Sequence, residues 1–162
     1  MKYIISDDES VFVNLMDEGY YRSFSKRVIK EYAAEMVRGG LWEKSESDSK
    51  SYESFNNLLP KGMNSEGNHL FVIMDDSNDV IGDLWLQERG QELHIASIYI
   101  SQSKRGIGIG TILVQWVEKW AIEKNCNFIT LHVFDANKNA ICFYKKLGFE
   151  KYEKGMRKNL NG

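Results

Sequence analysis

Little in this sequence points to a metal, a disulfide framework or a highly charged partner. Its only two cysteines, Cys126 and Cys142, lack paired ligand spacing and are too few for a disulfide scaffold, which leaves two reduced thiols. The three histidines, His69, His94 and His132, are scattered and not set at the helical or hairpin spacing of a zinc site, so no metal is expected. A formal net charge of −2 provides no basic surface for nucleic acid. No apolar run approaches the roughly 20 residues that span a bilayer, and no charged start followed by an apolar stretch marks a leader. A soluble, cytoplasmic protein without a membrane partner is therefore expected. Internal repeats and linker-length tracts are also missing. What is present is 162 residues, 43% of them apolar, enough to bury a sizeable core and to favour one domain over 1–162.

Along the chain, KYIIS (2–6) reads as an opening strand. Residues 10–38 have helical apolar spacing with a break at Asp17 to Gly19, and the pattern stops at Gly39 and Gly40 as helices tend to. SESDSKS (45–51) reads as a polar loop feeding a short helix at 52–59, which Pro60 and Gly62 stop. Strands are expected at 69–75, 80–88 and 92–100, and the tight polar separators DSND and RGQ make them antiparallel hairpins. Leu113, Trp116, Val117 and Trp120 recur at helical spacing, giving the stretch 110–123 one buried face. A strand at 128–134, a helix at 137–148 and a last strand near 149–158 follow. The pattern implies helices enclosing a mixed sheet, antiparallel in its middle, with a strand, helix, strand crossover in its later part.

The segment SKRGIGIG (103–110) lies between the strand ending at Ile100 and the helix beginning near Gly110. Ordering alternate glycines is entropically unfavourable and adds nothing to a core. Without Cβ atoms, however, their amides can turn inward together over a helix N-terminus, where unpaired N–H groups and the helix dipole attract anions. Arg105 adds a positive charge. The combination fits a pyrophosphate cradle, while the same glycines would serve if they only made the turn. Two familiar phosphate loops are excluded by spacing: no Gly-Lys-Ser/Thr ending is present, and Thr111 stands where the dinucleotide fingerprint needs glycine or alanine.

A second segment, NKNAICFYKKLGF (137–149), carries Asn137, Ala140, Phe143 and Tyr144 and ends at Gly148-Phe149. With RGIGIG and IYI upstream, the chain resembles the GNAT acetyltransferase superfamily, and its N-terminal pattern resembles small bacterial members. Arg105, Gly108 and Gly110 match the family's Arg/Gln-x-x-Gly-x-Gly/Ala loop, and Asn137 onward matches its Asn-x-x-Ala-x-x-Phe-Tyr-x-x-x-Gly-Phe segment. The two motifs stand about 27 residues apart, from Gly110 to Asn137, as one helix plus one strand requires. The resemblance covers roughly residues 69 to 158. One departure is Gln102, where many members carry proline; it bears on the rigidity of the loop and not on the cradle.

The resemblance implies the GNAT acyl-CoA N-acyltransferase fold: α/β (α+β), a mixed, mostly antiparallel sheet flanked by helices, with the fourth and fifth strands splayed at a bulge. It makes the first third the acceptor side and 92–148 the acetyl-CoA-binding core. Acetyl-CoA would be the co-substrate. Its pantetheine arm would pair with the backbone of Ile98, Tyr99 and Ile100, and its pyrophosphate would lie on Arg105, Gly106, Ile107, Gly108, Ile109, Gly110 and Thr111. Asn137, Ala140 and Phe143 would line the other side, although Asn137 is also a good helix N-cap. Tyr144 is implied as the acid that protonates the departing thiolate. As the base that deprotonates the amine, Glu92 stands thirteen residues before Arg105, where some lysine-acetylating members have a catalytic glutamate. Glu88, His94 and a chain of waters compete with it.

For the acceptor, the resemblance implies a pocket that brings Tyr20, Tyr21, Tyr32, Trp42 and Trp85 together with Glu46, Asp48, Asp83 and Glu88, a lining that suits a cationic amine. The expected function is N-acetyl transfer from acetyl-CoA to a primary amine of a small molecule or peptide. The competing expectation is a coenzyme-A-binding sensor or regulatory module that kept the cradle and lost turnover. A homodimer is expected only by analogy with the family.

Overall fold

The computed structural model describes residues 3–6, by backbone alone, and 11–161. The chain divides into two compact units, Met1–His132 and Val133–Gly162.

The first unit holds one six-stranded sheet in sequential order: β1 (Tyr3–Ser6), β2 (Val11–Leu15), β3 (Asn68–Met74), β4 (Val80–Arg89), β5 (Glu92–Ile100) and β6 (Phe128–Leu131). Every neighbouring pair is antiparallel except β5 and β6, which run parallel. Helix α3 (Ile109–Glu123) makes the crossover that parallel pairing demands. The mixed, mostly antiparallel sheet expected from the sequence is thus present.

Strand alternation divides the side chains between two cores. On one face Phe71, Ile73, Leu84, Leu86, Leu93 and Ile95 pack against Leu113 and Val117 of α3. On the other, Leu70, Val72 and Trp85 meet Phe24 of helix α1 (Glu18–Arg38) and Phe55 of helix α2 (Lys44–Leu58). Full burial of each such side chain contributes about 1.5–3 kcal/mol, so these two stripes do most to hold the helices on the sheet.

Several local readings are corrected. The helical reading of 10–38 fails over Val11–Leu15, which is a strand: Val11 and Val13 alternate inward at period 2, and the helix begins only after Asp17, whose carboxylate caps it by accepting from Tyr20 N at 2.8 Å. Ser10 lies outside the described residues, as does Lys2 of the opening strand. The stretch 45–51 is not a loop but the first half of α2. Its small residues Ser47 and Ser51 are buried one turn apart in line with Phe55, and the Ser51 hydroxyl donates to Ile29 O on α1 at 2.6 Å. A polar composition therefore conceals a packed face.

Strand β6 stops at Leu131 and does not reach 134, because its partner turns away: the last paired residues are Ile95 and Leu131. Among its described residues, the second unit contains one helix, α4 (Lys138–Lys146). No strand forms between 149 and 158 among the described residues. A ladder needs a partner, and the described residues of that unit hold no other strand.

Candidate functional site

After Ile100 the chain makes a single 3-10 turn at Gln102–Lys104 and enters α3 through Gly106 and Gly108. Both glycines have positive φ, +78° and +92°, and Gly108 is the left-handed N-cap of α3. A Cβ on either would meet nothing within 4 Å, so backbone conformation and not crowding makes glycine the fitting residue there. Gly110, by contrast, lies within the helix.

The consequence concerns the amides. Among the described residues, the N–H groups from Gly106 to Thr111 find no acceptor in the protein; the first amide to do so is Ile112, which donates to Gly108 O at 3.2 Å. No acidic residue occupies the first turn of α3, so the positive end of its dipole is not neutralised there. Ile109 buries its side chain in the core and can offer only its backbone. Arg105 is exposed, and its Nε donates to Ile100 O at 2.8 Å.

Next to this loop, β5 carries a bulge. Trp85 pairs with Ser97 and Leu86 with Ile95, which leaves Ala96 as the extra residue. Up to Ile95 the strand is bonded on both sides; from Ser97 to Ile100 only β4 remains. The splay expected between the family's fourth and fifth strands is this parting of β5 and β6. A side chain on Gly82 would run into the Tyr99 carbonyl oxygen, so that oxygen points at β4. Alternation then turns the backbone groups of Ile98 and Ile100 to the open edge. There the Ile100 carbonyl already accepts from Arg105.

The proton-transfer candidates separate clearly. Glu92 sits half-buried at the start of β5, in register with Phe128 of β6. Glu88 lies 3.1 Å from His69 Nε2, and His69 packs on Trp120 of α3. Glu88 therefore belongs to the α3 face, away from α1 and α2. His94 is buried with Nδ1 2.9 Å from Thr130 Oγ1. Burial, helped by the positive charge of Arg89 and by His132, pushes its pKa down to about 4, so it stays neutral at neutral pH and is a weak base.

Within the second unit, the Asn137 side chain accepts from Ala140 N at 3.2 Å and caps α4. Tyr144 packs edge-on between Phe143 and Phe149, with ring centres 5.1 and 5.4 Å away, and burial raises its phenol pKa.

The acceptor residues are not brought together as expected. Tyr21 and Trp85 are wall-to-wall with Phe24 and Phe55 in an aromatic core, and the Trp85 indole donates to Asn68 Oδ1 at 2.8 Å. Tyr32 and Trp42 pair with each other, ring centres 5.3 Å apart, twelve residues or about 18 Å further along α1 than Tyr20. Lys50 already occupies the cation roles there, 5.9 Å from the Trp42 ring centre and 2.7 Å from Glu46. Asp48 lines a shallow groove of 560 Å³ between α1 and α2 that contains none of the cradle residues. Among the described residues, one expected aromatic does meet an expected carboxylate directly: the Tyr20 phenol donates to buried Asp83 at 2.8 Å.

Sequence reasoning missed Arg27, whose Nη2 lies 2.6 Å from each Asp83 oxygen. An arginine on a helix face gives no sign of a partner 56 residues away. Among the described residues no cluster of three potential metal ligands forms, and no helix is long and apolar enough to cross a membrane.

Comparison with known proteins gives the family and the fold. The model of the acetyltransferase (GNAT) family matches residues 27–149. The uncharacterized N-acetyltransferase YdgE of Bacillus subtilis is 28% identical over 149 residues, covering 90% of this chain and 95% of its own. The crystal structure of the Bacillus subtilis acetyltransferase YycN superposes with a TM-score of 0.85 at 27% identity, covering 93% of this chain and 98% of that one. The PaiA N-acetyltransferase of Thermoplasma acidophilum, solved in complex with coenzyme A, shares the fold with a TM-score of 0.66 at 16% identity, over 90% and 93% of the two chains.

Proposed function

From the premise that this chain belongs to the acetyltransferase (GNAT) family, we propose that it transfers the acetyl group of acetyl-CoA to a primary amine of a small molecule or peptide. The observation that carries the reading is the row of unpartnered amides from Gly106 to Thr111 at the start of α3, beside a strand edge that the Ala96 bulge leaves open. A pyrophosphate supplies the acceptors those amides lack, and an extended amide-containing arm supplies partners for the Ile98 and Ile100 backbone. That the family includes proteins crystallised with coenzyme A, such as the Thermoplasma enzyme, supports the choice of ligand.

In this reading Arg105, Gly106, Ile107, Gly108, Ile109, Gly110 and Thr111 hold the diphosphate, Ile98 through Ile100 hold the pantetheine arm, and Asn137, Ala140 and Phe143 complete the coenzyme site. The amine nitrogen bonds to the thioester carbonyl carbon and the carbon–sulfur bond breaks. Glu92 accepts the proton that nitrogen loses, directly or through water. Tyr144 gives a proton to the departing thiolate; burial raises its pKa, so the phenol is protonated before the sulfur departs.

Free-thiol release from acetyl-CoA across a panel of amines, polyamines, aminoglycosides and peptides tests the proposal. Turnover with at least one amine supports it; binding of coenzyme A without turnover of any would turn the reading toward a sensor. Tyr144→Phe should lower kcat about 100-fold while coenzyme affinity holds, and an unchanged kcat removes the acid role.

A further inference from the structure

Because β6 leaves β5 at the bulge, Ser97 to Ile100 are held, among the described residues, by β4 and by side chains. Two of those side chains lie on the Tyr99 ring. Arg27, from α1, places its guanidinium carbon 4.1 Å from the Tyr99 ring centre, and Arg105 brings a second guanidinium to 5.6 Å from the same ring.

The two cations differ in how they are anchored. Arg27 is locked from behind: Nη2 donates to both oxygens of Asp83 and Nη1 to Glu31 at 3.1 Å. Asp83 is fully buried and also accepts from Tyr20, so the anchor is rigid. Arg105 is exposed and, among the described residues, has no carboxylate partner; only its Nε bond to Ile100 O and the Tyr99 ring restrain it. A long side chain with that much freedom loses rotamer entropy on meeting a ligand, unless something holds it beforehand.

We propose that Arg27 is a positioning residue for coenzyme binding: locked by Asp83, it clamps Tyr99, and the clamped ring holds Arg105 and the open β5 edge in their binding arrangement. Helix α1, on the acceptor side, is thereby coupled to the diphosphate cradle through Asp83, Tyr99 and Arg105. The inference rests on the coenzyme reading above, and goes beyond it by assigning a role to a residue that makes none of the proposed coenzyme contacts.

Calorimetric titration of coenzyme A into the full-length protein, its Arg27→Lys and Tyr99→Leu variants and their double variant tests this, with a melting curve for each. Lysine keeps the positive charge that Asp83 needs but cannot stack a planar guanidinium on the ring. Arg27→Lys should weaken coenzyme A binding about fivefold, Tyr99→Leu by a similar factor, and the double variant no more than Tyr99→Leu alone. A lowered melting temperature with unchanged affinity would reduce Arg27 to a structural tie, and losses that multiply in the double variant would deny the clamp. Should Arg27→Lys fail to fold, Tyr99→Leu with Arg105→Gln repeats the cycle, and independent losses there overturn the proposal. If the wild-type protein itself takes up no coenzyme A, the coenzyme reading falls first and this inference with it. Normal wild-type binding with an indifferent Arg27→Lys removes this inference alone.

Discussion

One continuous strand, β5, has two unlike halves. From Glu92 to Ile95 it is laddered on both sides, and Leu93, His94 and Ile95 are buried. From Ser97 to Ile100 it is laddered on one side only, and every residue is half-exposed. Composition does not separate the halves, since both mix aliphatic residues with a ring-bearing one. A single inserted residue, Ala96, does. The candidate binding edge is thus made by subtraction: pairing that would have satisfied the backbone is withheld, and a ligand with its own donors and acceptors can supply it. An open edge of this kind invites wrong partners, and it is only four residues long, Ser97 to Ile100.

The contrast should break most severely at Gly82, the point where β4 grips the open half. A methyl group there collides with the Tyr99 carbonyl oxygen, which is backbone and cannot rotate aside. Gly82→Ala should lose more than about 3 kcal/mol, past the usual range for overpacking, and lower the melting temperature by about 10 °C. A melting curve within a degree of wild type would mean that β4 does not set the position of this half.

Acidity should sharpen the contrast from the other side, because the closed half buries His94. The free imidazole titrates near 6.5 and the folded one at about 4, so between those values the unfolded chain binds more protons. Stability contributed by the neutral, buried ring is complete above pH 6.5 and drains away as pH falls to about 4, by about 2–3 kcal/mol in all. Urea midpoints measured across that interval should show the slope, and His94→Gln should flatten it.

The smallest effect is expected at the loop that completes the open half. Gly108→Ala meets no steric obstacle but must hold φ near +92°. Roughly 1–2 kcal/mol of left-handed strain should either tilt the α3 amides or be relieved by shifting them, weakening coenzyme A binding about tenfold. Equal affinity in the variant, by calorimetry, would show that the turn tolerates a different backbone without disturbing the amides.

How far the sequence could be read depended on the range of the interactions involved. Strands β3 to β5, helix α3 and the glycine turn between them were legible because alternation, helical spacing and turn residues are short-range signals. Ser47 and Ser51 were not, since a serine reads as a loop residue until a partner helix buries it. The acceptor aromatics failed for the opposite reason: tyrosine and tryptophan fit both a core and a pocket, and position along α1 sent Tyr21 to the core and Tyr32 to a distant pair with Trp42.

Local chemistry alone settled that glycines without side chains precede the first turn of a helix, and that an arginine stands before them. Which amides go unpaired, which half of β5 stays open, and that Arg27 reaches Asp83 and Tyr99 were decided only when the strands and α1 packed together. Backbone dihedral preference is a property of a few neighbouring residues, whereas pairing and burial belong to groups that folding brings together from far along the chain.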